Sequence, residues 1–179
     1  MMKRYLLVLG LAGLVGGQRL LELRLAARNR AWALAQRARE SGAGHYPLFI
    51  VLHSGWFAGW LGEALWRGAR LSRGWFTWLA LFVAAQGLRY WAIASLGRYW
   101  NTRILVIPGR PLVKKGPYRF LRHPNYLAVA KELADVPMIF GAWRTAVAPG
   151  LLNAGLLLGV RIPAEEAALR KAHPSKAES

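Results

Sequence analysis

Three short polar runs in an otherwise apolar chain hold the residue types that could do chemistry. They are Gly116-Pro117-Tyr118, Arg122-His123-Pro124-Asn125-Tyr126 and Arg161-Ile162-Pro163-Ala164-Glu165-Glu166. Pro124 suits the first position of a helix, where its missing N–H costs nothing. Arg122 and His123 then flank a helix N-terminus, with free N–H groups and a positive dipole end beside them, and such a place binds a carboxylate. Arg161 and Glu165 are four apart, so they share a face if one helix runs through both, with Pro163 early in it. Each run also has a plainer reading. The first two could be a basic loop on anionic headgroups, anchored by Trp100, Tyr118 and Tyr126, and the third an ordinary helix start with acidic residues in its first turn.

The elements that must position these runs are membrane spans. Hydrophobic residues make up 55% of the 179, with nine Trp, yet 25 Lys and Arg stand against eight Asp and Glu. The apolar residues arrive in long blocks and the basic ones gather between them, as in a polytopic membrane protein. A net charge of +17 suits nucleic acid or an anionic membrane surface. Because the charge flanks apolar spans, the lipid bilayer is the expected partner and nucleic acid is not. No cysteine is present, which excludes disulfides, thiolate metal sites and a Cys nucleophile.

The expected fold class is all-α, an integral membrane protein of about five spans. A crossing helix needs about 20 apolar residues. Candidates run from Tyr5 to Leu23, Tyr46 to Trp66, Trp75 to Leu96, Tyr126 to Phe140 and Trp143 to Val160. The first begins after Lys3-Arg4 and reads as a span rather than a removed signal peptide. The fourth is short, carries Glu132, Asp135 and Pro137, and Gly141 would reverse the chain into the fifth. With the N-terminus outside, cytoplasmic segments hold sixteen Lys and Arg, against six outside: Lys3, Arg4, Arg67, Arg70, Arg73 and Arg144. The positive-inside bias therefore places the C-terminus inside and residues 97–125 and 161–179 on one cytoplasmic side. One domain over 1–179 is expected, with three spans in 1–96 and the chemistry in 97–179.

Other polar residues compete for a role. There is no Gly-x-Gly-x-x-Gly after a strand, so the usual Rossmann cofactor site is absent. His45 and His53 lie at and inside the second span, where a functional role and a helix–helix hydrogen bond are equally good accounts. Glu132 and Asp135 share a helix face beside Lys131. No further ligands cluster with them, so no metal is expected, and a buried salt bridge or support for a cofactor is the simpler account. A transporter relay through Glu132, Asp135 and His53, or a scaffold without catalysis, are the rival classes.

Taken together, the three runs resemble the isoprenylcysteine carboxyl methyltransferase family of membrane enzymes. Its hallmark is Gly-x-Tyr, then Arg-His-Pro-x-Tyr, then, one helical hairpin later, Arg-x-x-x-Glu-Glu. Ala128 stands where the family has a Gly two places after the second Tyr. Within the family the chain is similar to a small bacterial branch that O-methylates alkylpyrones beside type III polyketide synthases. Arg19-Leu-Leu-Glu-Leu, Arg28-Asn-Arg, Gly44-His-Tyr46, His53, Leu96-Gly-Arg-Tyr-Trp-Asn-Thr102 and Asn153 carry that likeness.

The resemblance implies an S-adenosyl-L-methionine-dependent O-methyltransferase in the cell inner membrane, its active site facing the cytoplasm. The acceptor would be an amphipathic, lipid-like small molecule, an alkylpyrone or related polyketide, with a prenylcysteine-like acid as the alternative. A functional link to a type III polyketide synthase follows from the same likeness. By similarity, Leu112, Val113, Tyr118, Arg122, His123, Pro124 and Asn125 would bind the cofactor, with Tyr126 and Glu166 beside them. Arg161 and Glu165 match positions that contact the methyl acceptor.

Overall fold

The computed structural model describes residues 2–172. Six helices follow one another: α1 (Met2–Ala35), α2 (Tyr46–Trp66), α3 (Trp75–Leu96), α4 (Pro124–Ile139), α5 (Trp143–Leu156) and α6 (Ile162–Ala172). Between α5 and α6 the chain makes one π turn, Leu157–Arg161, without breaking the helix. Four helical stretches are long and apolar enough to cross a membrane: Met2–Ala35, Ala43–Trp66, Trp75–Tyr99 and Trp143–Ala172. The protein is an all-α, polytopic integral membrane protein.

The second and third expected spans coincide with α2 and α3. The first runs well past Leu23, and the fifth continues through the π turn into α6. The fourth, α4, has sixteen residues, about 24 Å at 1.5 Å per residue, short of a hydrocarbon core of about 30 Å. It is an interior element, because eight of its residues are buried, Glu132 and Asp135 among them. Gly141 (φ 67°) reverses the chain, the Ala142 N–H returns to Pro137 O at 2.9 Å, and α5 departs at Trp143.

One buried apolar cluster joins Val8, Ala12 and Val15 of α1, Trp56 and Trp60 of α2, Phe82 of α3 and Leu133 and Val136 of α4. Small residues on α1 and Ala64 on α2 let the backbones approach, as lipid-embedded helices require. Beside this cluster lies a charged one. Arg89 (α3) donates to Glu22 (α1) at 2.6 Å and to Glu132 (α4) at 3.2 Å, and Arg19 (α1) meets the Glu132 carboxylate at 2.8 Å. Two arginines and two carboxylates balance, so a neutral network pins α1 and α3 to the short helix. Asp135 takes Lys131 at 3.0 Å. His53 bonds the Phe49 carbonyl within its own helix at 2.8 Å and, among the described residues, makes no bond to another helix.

Two three-residue strands, β1 (Arg39–Ser41) and β2 (Ile104–Val106), pair antiparallel with Glu40 opposite Leu105. They join the loop after α1 to the loop after α3, at the end of the bundle where α4 begins.

Candidate active site

The loop after α3 is held down before it reaches the polar runs. Gly97 (φ 56°) ends α3. Buried Asn29 of α1 donates to Trp100 O at 2.7 Å, and Asn101 donates to Ala26 O at 3.0 Å. Arg103 reaches Glu40 on β1 at 2.5 Å and lies 4.1 Å from the centre of the Tyr46 ring. The Tyr46 and Thr102 hydroxyls are 3.2 Å apart. Burial alone would raise the Glu40 carboxyl, but bonds from Arg103 and Arg30 outweigh it and hold the group below its ordinary value. These contacts fix the Thr102 carbonyl oxygen, which accepts from Arg161 at 2.8 Å.

Arg161 ends the π turn, and Pro163 explains why the helix widens there. A proline inside an α-helix removes one N–H, and its ring collides with the carbonyl four residues back, here Gly159. One wider turn makes room, and α6 then continues. Arg161 is 6% exposed, its guanidinium 5.7 Å from the Phe49 ring centre. Its Nε donates to the Tyr126 hydroxyl at 3.1 Å, and that hydroxyl donates to Glu165 Oε2 at 2.5 Å. Arg161 and Glu165 therefore share a helix face, as their spacing predicts, and converge on one phenol.

The second polar run folds as expected at its helix start. Pro124 opens α4, His123 is the N-cap, and the His123 ring stacks on Tyr126 at 5.4 Å and 12°. The Gly116–Arg119 turn packs on the end of α3, where a Cβ on Gly116 (φ 58°) would run into the Ser95 hydroxyl. That close approach puts Tyr118 inside. Burial pushes the Tyr118 phenol well above its ordinary value, and the Glu165 carboxylate adds to the shift.

A cleft of about 780 Å³ opens between the loop, the start of α4 and α6. Leu112, Val113, Tyr118, Arg122, His123, Asn125, Tyr126, Glu165 and Glu166 line it. Two expected residues do not. Pro124 is fully buried, and Arg161 sits outside the lining, bonded to Tyr126. The Arg122 side chain is 90% exposed, 4.0 Å from Glu166. Sequence reasoning missed Tyr99, Trp100, Asn101, Arg110, Leu169 and Arg170 in the lining. Arg110 lies beside the Pro108-Gly109 turn, the one visible sign that this part of the loop folds back. Within the cleft His123 Nε2, Asn125 Oδ1 and Trp100 Nε1 are buried without hydrogen-bond partners among the described residues.

The sequence profile of the isoprenylcysteine carboxyl methyltransferase family matches residues 78–171, from early in α3 to the end of α6. The chain belongs to this family. Family members are membrane methyltransferases that use S-adenosylmethionine. The chain is 42% identical over 154 residues to the uncharacterized protein YpbQ of Bacillus subtilis strain 168, covering 86% of this chain and 91% of that one. It is also 31% identical over 97 residues to an uncharacterized protein of Haemophilus influenzae Rd, covering 54% and 56%. No solved structure matches the chain. The family match contains all three polar runs and the Thr102 carbonyl, whereas the α1 half of the charged network and β1 lie outside it.

Proposed function

We propose that this methyltransferase family member is an S-adenosylmethionine-dependent O-methyltransferase whose acceptor is an alkylpyrone or related type III polyketide lipid. The observation that carries the reading is the Tyr126 hydroxyl, bonded to both Arg161 and Glu165 beside a nucleoside-sized cleft. The unsatisfied polar atoms of His123, Asn125 and Trp100 support a polar ligand in that cleft, since buried groups of this kind cost free energy until paired. The cofactor carries a carboxylate and an ammonium, and the lining offers Arg122 and Arg110 for the first and Glu166 for the second. Leu112, Val113 and Tyr118 would cover the adenosine, with His123, Pro124 and Asn125 shaping the helix start and Tyr126 the cleft wall.

When bound, the cofactor supplies an electrophilic methyl group. The rest is positioning. An enolate or carboxylate acceptor is already anionic at neutral pH and needs alignment and exclusion of water more than a strong base. Arg161 holds it. Two of the guanidinium nitrogens are engaged, and Nη1 has no hydrogen-bond partner among the described residues. Glu165 fixes Tyr126 and, through it, the Arg161 orientation. The acceptor's head enters the cleft while its tail lies between helices, toward half-buried Phe49.

In this reading the cleft end faces the cytoplasm, an orientation the bias of Lys and Arg supports, and the protein lies in the cell inner membrane with its N-terminus outside. A type III polyketide synthase is the functional neighbour that would supply the acceptor. Residues 1–96 serve as the membrane platform and 97–179 as the catalytic part of one domain. The test incubates purified protein with radiolabelled cofactor and two lipid extracts, one rich in alkylpyrones and one in prenylcysteines. Label in the first supports the reading, and label in the second alone moves the acceptor to a prenylcysteine-like acid. Label in neither, with no cofactor binding by calorimetry, overturns it.

A further inference from the structure

The opposite end of the bundle holds a second pocket, of about 560 Å³, between the α2–α3 loop and the α4–α5 turn. Arg67, Arg70 and Arg73 line it with Ser72, Trp66 and Gly141. We infer that this pocket binds a phosphate-bearing anion, a chemistry that a phospholipid headgroup or free phosphate can supply.

The arginines sit on a fastened loop. Gly68 and Ala69, both with positive φ, close α2 through Gly68 N–H to Leu65 O and Ala69 N–H to Ala64 O, at 2.9 and 2.8 Å. The buried Ala69 side chain joins the apolar core. The Ser72 N–H then bonds Ile139 O at the end of α4, at 2.9 Å. The Arg67 guanidinium packs against the Gly141 turn, 3.5 Å from where a Cβ would stand. The loop thus spaces three guanidinium groups around one volume.

Nothing in the described residues neutralises them. Among the described residues no carboxylate pairs with the guanidinium group of Arg67, Arg70, Arg73 or Arg144, and Glu63 meets only the Arg144 backbone N–H, at 3.4 Å. Glu63, the acidic residue near this end, is occupied with the start of α5: it accepts from the Thr145 N–H at 3.0 Å and the Thr145 hydroxyl at 2.8 Å. Helix dipoles do not make up the deficit, because α2 and α4 end here while α1, α3 and α5 begin. The Ser72 hydroxyl in the pocket is buried with no partner among the described residues.

The surroundings place the pocket at headgroup depth. Trp66, Trp75 and Trp143 are exposed around it, 73%, 38% and 50%, as interfacial tryptophans are. Arg144 lies 5.6 Å from the Trp66 ring centre, leaving the three pocket arginines to the ligand. Guanidinium forks match phosphate oxygens in pairs, and clustered cations beside a membrane favour anionic lipids.

The test follows the melting temperature of the full-length protein by tryptophan fluorescence in nanodiscs of phosphatidylglycerol or phosphatidylcholine, and in neutral detergent with inorganic phosphate. Phosphatidylglycerol should raise the midpoint by several degrees over phosphatidylcholine, and R70Q/R73Q should abolish that difference while melting as wild type does in phosphatidylcholine. R24Q/R28Q, altered at the other end of α1, should keep it. Stabilisation by inorganic phosphate that R70Q/R73Q loses identifies a free anion as sufficient, whereas stabilisation by the anionic lipid alone identifies a headgroup. If R70Q/R73Q does not fold, slower hydrogen exchange of residues 67–73 in wild type with phosphatidylglycerol or phosphate supports the site, and unchanged exchange overturns it. Equal responses of wild type and R70Q/R73Q, or no response by either, overturn the inference.

Discussion

Arg161 on the π turn and Thr102 in the loop after α3 meet through a side chain and a backbone carbonyl, 2.8 Å apart. The bond ties the last transmembrane helix to a segment that α1, α2 and β1 hold from the other side. Arg161 is therefore positioned by three elements far from it in sequence, and its place behind Tyr126, at the wall of the cleft, depends on them.

Tyr126→Phe separates positioning from folding. The change removes the acceptor for Arg161 and the donor to Glu165 and keeps the ring that stacks on His123. Hydrogen bonds to charged groups are worth about 1.5–3 kcal/mol. Methyl transfer should fall about 10- to 100-fold by that measure, with cofactor affinity by calorimetry nearly unchanged.

Gly116→Ala should weaken cofactor binding. An L-residue at φ 58° costs about 1–2 kcal/mol, and the new methyl meets the Ser95 hydroxyl. The turn would lift and carry Tyr118 out of the cleft. Adding Ser95→Ala should recover part of the calorimetric loss, because the hydroxyl collision goes while the 2.9 Å approach to the residue-95 Cβ and the backbone strain remain.

Arg89→Met should destabilise the fold far more than Arg19→Met. Removing one partner of a buried pair costs about 3–5 kcal/mol because the surviving carboxylates lose their counter-charge. The Arg89 side chain is 3% exposed and serves both Glu22 and Glu132, whereas that of Arg19 is 28% exposed. Thermal midpoints in detergent should rank wild type above Arg19→Met, and Arg19→Met above Arg89→Met.

Glu40 gives the loop an acid limit. Its carboxyl titrates below the ordinary value in the folded protein, so its stabilising contribution is present above that value and is lost as pH falls through the lowered one. Proteolysis of residues 97–115 should therefore rise below about pH 4, and Glu40→Gln should already be as susceptible at pH 7. Tyr118 contributes to an alkaline limit. Its raised phenol is neutral at physiological pH, and burial opposes ionisation above the ordinary value of about 10, where stability is lost as pH rises. Tyr118→Phe should lessen the fall in melting temperature between about pH 9 and 11.

Much of this fold is written locally. Blocks of apolar residues mark α2 and α3, because hydropathy needs no knowledge of partners. Pro124 marks the start of α4, and the four-residue spacing of Arg161 and Glu165 places them on one face. The network was less legible: Arg19 and Glu22 are three apart, but Arg89 and Glu132 join them from 67 and 113 residues away. The strands are too short to show alternation. Thr102 contributes a carbonyl oxygen, an atom every residue has, so its type carried no signal. The extent of α1 was missed because arginines at Arg24, Arg28 and Arg30 looked like a loop, whereas they extend the helix out of the apolar layer.

The π turn has a consequence for how this chain tolerates change in length. An α-helix advances about 100° per residue and a π turn takes up one residue more than an α turn, so one residue can be lost together with the widening and leave the phase unchanged. Tightening Leu157–Arg161 to α geometry at full length would instead rotate everything after it by about 100°. Glu165 would swing off Tyr126 while every side chain of the site stayed chemically intact. The angular phase between the membrane helix and its extension α6 is set by a single extra residue, and the alignment of Arg161 and Glu165 on Tyr126 is wound into that one wide loop of backbone.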